Sequence, residues 1–458
     1  MTPIQRRVLI VAILASLVAF LDGSVINVAL PAITKELGGG LELQQWVVDA
    51  YLVTLGSFIL VAGSLSDVFG RRSILRTGLI GFGLTSLACA VAPSGVALVL
   101  ARALQGVAGA LLVPSSLAII ISTFSGPAQA RAIGRWTAWT GIASIAGPIL
   151  GGVFVDLWSW RLVFVINILP IAVTLWLLMG IGKDVRTRGV RVDYPGATLG
   201  ALGLGATVFA LIEQGQYGFM NARVWISFAV GITALVAFFW VERRARQPML
   251  RFDIFRIHNF WVGNLATAVV YGALSLGPFI IVLYLQQVAG FSATFAGIAL
   301  IPTTLMMLAL SSLFGTLSGK YGPRLFMAVG PPIAAIGFLT MTLMGVQVNY
   351  WTQLLPGVIL FGLGMSVTVA PLTSAILGAI DPSEGGIASA VNNAVARVAG
   401  LVTVACAGLL VGAQLDREGM QRAMIATAAL LVIGGVISAI GIRNPRREPV
   451  ADVQATRK

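Results

Sequence analysis

The sequence predicts an all-α, polytopic membrane protein, and three observations carry that expectation. Of the 458 residues, 57% are hydrophobic and 10% charged, with a mean hydropathy of +0.93, whereas soluble domains average about a quarter charged. The apolar residues fall into runs of roughly 20, the length a helix needs to cross about 30 Å of hydrocarbon. The Lys and Arg residues are also distributed very unevenly between alternate loops.

Hydropathy places spans near 8–29, 46–66, 75–92, 96–121, 135–156, 162–181, 196–214, 223–241, 260–287, 294–318, 325–345, 353–379, 388–412 and 421–441, fourteen in all. The first is too long, and carries an internal acid, for a removable signal peptide. Of the 30 Lys and Arg, 23 fall in loops on the side of the termini and 5 on the other. By the positive-inside tendency this predicts cytoplasmic N and C termini in a cell (inner or plasma) membrane. The +13 net charge thereby serves topology. No basic patch is interleaved with aromatics, so no nucleic-acid partner is expected. The lipid bilayer is the expected surround, and a monomer the expected state.

The charged stretches 182–195 and 242–259 bracket the seventh and eighth spans, leaving six spans before and six after. The expected units are 1–181, a six-helix bundle; 182–259, a linker with two additional helices; 260–441, a second bundle; and 442–458, a tail. The halves echo each other: "GSLSDVFGRRSIL" (63–75) and "GTLSGKYGPRLFM" (315–327) both read G-x-L-S-x-x-x-G-x-R. Repeated six-span bundles characterise transporters that hold substrate near the midplane between the halves.

Charges at bilayer depth are costly and mark pathways or pairs. At 1.5 Å per residue, Asp22 lies roughly 10 Å from the outer end of its span and Arg102 roughly 9 Å from that of its own. The two share a depth, and protonating the acid would free the guanidinium, so the pair can act as a proton-driven switch; the alternative is a static ion pair that fixes helix packing. Asp49 sits near the outer mouth of the second span, a proton site or a solvated carboxylate. From Ile254 to Ile380 there is no Asp or Glu. Arg397 therefore has no acid in its own bundle's spans, and it either bonds locally or faces an anionic group. Asn27, Gln105, Asn264, Tyr271, Gln286, Met306 and Phe361 are candidates for an adaptable apolar cavity, with core packing the alternative. In "GIASIAGPILGG" (141–152), Ala143, Gly147 and Gly151 share a face that lets helix backbones approach closely, and Pro148 removes one backbone bond. No metal-ligand cluster and no phosphate-binding loop occur, so the expected cofactor is none, with the proton gradient as driving force. No nucleophile or carboxylate dyad suggests an enzyme.

These stretches resemble the major facilitator superfamily, specifically its fourteen-span drug:proton antiporters of the multidrug efflux type. "LDGSVINVALP" (21–31) is similar to the family's first-helix motif, with its acid at Asp22. "GSLSDVFGRRSIL" is similar to its cytoplasmic signature through Gly63, Asp67, Gly70, Arg71 and Arg72, departing at Val68 where a basic residue is usual. "LVLARALQGVAGA" (98–110) resembles the fourth-helix motif through Arg102, Gln105 and Gly106. "GIASIAGPILGG" resembles the antiporter motif through Gly141, Gly147, Pro148, Gly151 and Gly152. "WSWRLVFVIN" (158–167) and "EGGIASAVNNAVARVAG" (384–400) share the family's character. The resemblance implies a major facilitator fold with two extra central helices. It implies a latch at Asp67 and Arg71, proton transfer at the Arg102 motif, and a sealed bundle interface at Gly147–Pro148. The activity it implies is proton-coupled export of lipophilic, cationic compounds by alternating access. Export of one endogenous metabolite or antibiotic, or a non-transporting receptor on the same fold, remain the alternatives.

Overall fold

The computed structural model describes residues 1–182, 193–245, 252–381, 385–412 and 414–444; a few side chains inside helices, Asp67 among them, also lie outside the described residues. Everything described is helix, turn or coil. Fourteen long helices follow one another: α1 (Pro3–Leu37), α2 (Gly40–Phe69), α3 (Arg71–Ala90), α4 (Gly95–Thr123), α5 (Gly126–Leu157), α6 (Leu162–Met179), α7 (Tyr194–Tyr217), α8 (Ala222–Arg244), α9 (His258–Gln287), α10 (Ala293–Tyr321), α11 (Pro323–Met341), α12 (Tyr350–Leu377), α13 (Ala388–Val411) and α14 (Arg417–Gly441). Thirteen of them, all but α2, are candidate membrane spans by length and composition among the described residues, and α2 carries residues outside that set.

The local reasons for these elements are visible in the sequence. Thr2 and Gln5 form a reciprocal capping box at the start of α1, and Pro3 occupies the first turn, where its missing N–H is not needed. Asp193, Ser292, Asn349 and Asp416 accept from backbone N–H groups at other helix starts. The helices run past the hydropathy limits at several ends, since capping and not hydrocarbon thickness stops them. Four contain a short break, at Leu111, Ile166–Asn167, Leu300 and Cys406.

The two echoing stretches adopt the same turn. Gly70 joins α2 to α3 with φ 97° and ψ 134°, and Gly322 joins α10 to α11 with φ 88° and ψ 152°. These are backbone conformations that side chains with a Cβ disfavour. The internal repeat is therefore structural as well as sequential.

Helices α1–α6 pack on one another, and α9–α14 do likewise. Between these groups of six the contacts form a pseudo-symmetric pair: α5 against the first turns of α10, and α2 against α13, with α1 facing α9 between them. Helix α7 lies along α2 and α13, while the main neighbour of α8 is α7. Gly203 and Gly231 allow that hairpin to close, because a Cβ on either would meet backbone of the other helix.

One end of the assembly carries the arginine-rich connections; there Arg7 Nη1 donates to the Gly180 carbonyl (3.0 Å) and His258 Nε2 pairs with the Gly441 carbonyl (2.8 Å). Among the described residues, the hydrogen bonds between the two groups of six all lie toward the opposite end, at Gln45 and Asp156.

Candidate functional site: a buried ion pair and two helix seams

Asp22 and Arg102 meet as the sequence depths predict. Arg102 Nη1 lies 2.5 Å from Asp22 Oδ2, with both side chains 1% exposed. Helices α1, α2, α3, α4 and α6 together build the surround. Arg102 Nε donates to the Val47 carbonyl (2.9 Å) and Nη1 also to Gln105 Oε1 (2.7 Å). Gln105 Nε2 donates to Asp22 Oδ1 (2.9 Å) and to Ser86 Oγ (2.9 Å). Asn167 Nδ2 donates to the same Asp22 oxygen (2.9 Å), and Cys89 Sγ approaches Gln105 Oε1 at 3.7 Å. The guanidinium lies over the Tyr51 ring at 4.4 Å. A carboxylate and a guanidinium taken this far from water persist only when paired and hydrogen-bonded, and here both conditions hold. One buried acceptor, Asn167 Oδ1, has no partner among the described residues.

This placement corrects Gln105, which was expected in a cavity and instead orients the ion pair. Asn167, Ser86, Cys89 and the Val47 carbonyl were not singled out by sequence reasoning. The family-like "WSWRLVFVIN" stretch ending in Asn167 was the available signal.

Asp49 does not join the pair. It is fully buried, and neither carboxylate oxygen has a hydrogen-bond partner among the described residues. The solvated-mouth alternative is therefore overturned. One turn before it, Gln45 Nε2 donates across to the α13 carbonyls of Val404 (2.8 Å) and Ala405 (2.9 Å). Asp49 thus belongs to the stretch of α2 that closes against α13.

The glycine-rich stretch of α5 seals two partners with two faces. Ala143, Gly147 and Gly151 lie on α1: Ser24 Oγ donates to the Ala143 carbonyl (3.1 Å), and a Cβ at Gly147 or Gly151 would collide with Ser24, Val25 or Val28. Pro148, Gly152 and Asp156 face α10. A Cβ at Gly152 would strike the Thr294 backbone, and one at Gly297 would strike the Pro148 carbonyl. Gly141, by contrast, meets nothing within 4 Å and forms no seam.

Arg71 Nη1 donates to the Ala118 carbonyl of α4 (3.0 Å) and Arg72 Nη1 to the Gly182 carbonyl (3.3 Å). Gly70 makes the turn already described. Gly63 and Asp67 fall in the last turns of α2, where the surroundings of these two residues lie outside the described set.

The second half's cavity candidates divide. Phe361 is corrected to core, packed on Phe338 with ring centroids 4.8 Å apart. Asn264 is likewise buried between α9 and α13, donating to the Phe260 carbonyl and accepting from Asn392. Met306 packs beside Gly362 of α12, and Gln286 stands at the far end of α9, its Nε2 without a partner among the described residues. Asn27 is partly buried on α1. Tyr271 and Arg397 do approach the space between the groups, with Arg397 Cζ 6.0 Å from the ring of Phe20 on α1. No cluster of three His, Cys, Asp or Glu occurs among the described residues.

A many-span helical protein with an internal six-helix repeat and a buried ion pair beside the seam of its halves is a membrane transporter in class. The chain belongs to the Major Facilitator Superfamily, whose family pattern it matches over residues 12–404 and 265–457. It is 36% identical to the puromycin resistance protein pur8 of Streptomyces alboniger, across 87% of this chain and 80% of that protein. It is 30% identical to the multidrug resistance protein Stp of Mycobacterium tuberculosis (96% and 82%) and 31% identical to the cephamycin export protein CmcT of Amycolatopsis lactamdurans (97% and 93%). In fold it resembles a crystal structure of the peptide transporter POT (TM-score 0.71, 16% identity, 94% and 93% covered). It also resembles a bacterial homologue of the lysosomal transporter Spinster (TM-score 0.70, 17% identity, 96% and 97%).

Proposed function

We propose that this protein is a proton-coupled exporter, a drug:H+ antiporter with fourteen spans and cytoplasmic termini, working by alternating access between residues 1–181 and 260–441. The fourteenth span in this reading is α2, whose 46–66 stretch lies inside its helix. The relatives named for resistance and export support the direction of transport. The observation that carries coupling is the wholly buried Asp22–Arg102 pair in its amide cage.

The residues supply a switch. With Asp22 ionised, the carboxylate holds Arg102 Nη1, Gln105 Nε2 and Asn167 Nδ2 at once. A proton on the carboxyl removes the charge that holds Arg102 and creates one new O–H donor. Asn167 Oδ1, the acceptor without a partner, is one amide rotation away from receiving it. Arg102 keeps its bonds to the Val47 carbonyl and Gln105 Oε1, so it can shift without losing every partner. With the seams joined at the end opposite the arginine-rich loops, the conformation is read as facing the cytoplasm. Lys and Arg on that side orient the chain. Asp49 is a second proton site in this scheme, placed where α2 approaches α13.

The transported compound is lipophilic. The cationic character expected from the sequence has little to recognise it: at mid-membrane depth Asp22 is already paired and Asp49 is enclosed. Export of a single antibiotic or metabolite is the second reading, favoured by relatives each named for one compound.

The test uses everted vesicles carrying the full chain and an imposed pH gradient. Substrate addition should release protons from the vesicle interior, and Asp22→Asn should abolish the release. Release that persists undiminished in Asp22→Asn sinks the coupling role. Extrusion of several unrelated compounds favours the multidrug reading, and response to one favours the dedicated reading.

A further inference from the structure

Arg397 is the second basic residue at membrane depth; it is half-buried, and unlike Arg102 it has no ion-pair partner among the described residues. It lies nine residues into α13, so about 14 Å from the start of that span at 1.5 Å per residue. It makes no hydrogen bond or ion pair with any described residue. The acid-free stretch 254–380 leaves α9–α12 without a carboxylate to meet it. Asn392 and Asn393, the nearby amides on α13, are engaged elsewhere. Asn392 Nδ2 donates to Thr267 Oγ1 (2.9 Å), and Asn393 Nδ2 to the Ser389 carbonyl (2.9 Å). A guanidinium at the depth of a spanning helix is costly, so its place needs a compensating contact.

Its surroundings are aromatic and face the space between the groups of six. The guanidinium carbon is 6.0 Å from the Phe20 ring centroid on α1, and the hydroxyls of Tyr51 and Tyr271 lie within its electrostatic reach. Beside Phe20, Asp22 turns away into the Arg102 cage, while Gly23 faces open space, with nothing within 4 Å of where a Cβ would stand. The exposed side of this region therefore carries one cation, aromatic rings and no available carboxylate among the described residues.

We propose that Arg397 anchors an anionic group, a carboxylate or a chemically similar oxyanion, on the compound this chain moves, while Phe20 and Tyr271 contact its apolar or aromatic part. A guanidinium fits this role because its fork presents parallel N–H donors to two oxygens. The proposal rests on the exporter reading only in taking the space between the bundles as the transport site.

The experiment measures binding, without a gradient, to the purified full-length chain in detergent. The probes are 9-anthracenecarboxylate and its methyl ester, followed by fluorescence anisotropy. The wild-type chain should bind the carboxylate at least about tenfold more tightly than the ester, about 1.4 kcal/mol. Arg397→Gln should erase that preference while leaving ester affinity unchanged, and Arg397→Lys should retain part of it. Equal affinity for both probes, binding of neither, or a preference that survives in Arg397→Gln overturns the anchor. The wild-type ratio needs no variant, so a Gln variant that fails to fold leaves the test standing. Gradient-driven movement in everted vesicles is scored separately. Its absence would count against the exporter reading, and the binding ratio would still decide Arg397.

Discussion

Asp156, on the last turn of α5, caps the first turn of α10 in the other half of the protein: its Oδ2 accepts from the backbone N–H of Thr294 at 2.8 Å, and its Oδ1 from that of Ala293 at 2.9 Å. A carboxylate at a helix N-terminus satisfies otherwise unpaired donors and meets the positive end of the helix dipole. Here the cap comes from another bundle, so forming it and closing this end of the protein are one event.

Asp156→Ala should therefore loosen the closed end. Loss of an N-terminal cap costs about 0.5–2 kcal/mol, enough to raise the open population several-fold. Maleimide labelling at Ala296→Cys, buried in this seam, in a background lacking Cys89 and Cys406, should accelerate. An unchanged labelling rate would show that the cap does not hold the gate.

Gly297→Val places carbon atoms where the Pro148 carbonyl now lies. Neither backbone can yield while α5 stays packed on α1. The variant should keep its helical content and size-exclusion profile, but the Ala296→Cys site should label as in an open protein. Transport should fall by about tenfold or more. Normal transport would mean that this contact is dispensable.

Asp22 and Asp49 should respond oppositely to neutral substitution. Asp22→Ala strands a buried guanidinium, a loss of about 3–5 kcal/mol for breaking a buried pair, visible as a lower melting temperature in detergent. Asp49→Asn removes no hydrogen bond to any described residue and should leave the melting temperature unchanged or higher. A large destabilisation by Asp49→Asn would reveal a partner for that carboxylate.

Asn167→Ala leaves the Asp22–Arg102 contact in place but takes away one donor to the carboxylate and the acceptor proposed for its protonated form. Substrate-induced proton release should persist with a displaced pH profile. If the profile is that of the unmodified chain, Asn167 plays no part in the proton step.

The α7–α8 hairpin should be separable from the rest. Gly231→Leu would push into Thr207 and the Gly203 carbonyl and so part the two helices. Because the main neighbour of α8 is α7, the remaining twelve helices should stay folded. Limited proteolysis checks this: cleavage should increase near 218–221, with a protected core on either side. Loss of the whole protected core would show that the hairpin supports both bundles.

Much of this arrangement was legible in one dimension. Depth counting brought Asp22 and Arg102 to one level because a spanning helix is a ruler of fixed rise, and charges there are too costly to be accidental. The four-residue spacing of Ala143, Gly147 and Gly151 likewise announced a close helix contact. The ion pair's amide cage was not legible, since Gln105, Asn167 and Ser86 are ordinary polar residues until three helices converge on one carboxylate. Phe361 and Asn264 read as cavity residues for the same reason: sequence shows that a helix has a polar or aromatic side, not which neighbour that side meets. Asp49 was misread at the mouth because its burial comes from α13, more than 350 residues later.

The sequence by itself determined that this chain lives in a bilayer, that it consists of a repeated set of helices, and that an acid and a base lie at one depth. Composition, hydropathy period and the rise of the α-helix fix those things residue by residue. The tertiary structure alone decided which face of α5 seals α1 and which seals α10, which carboxylate is paired and which is enclosed, and that Arg397 stands beside Phe20 of the other half. Those outcomes depend on how helices distant in sequence rotate against one another, and no local pattern records that rotation.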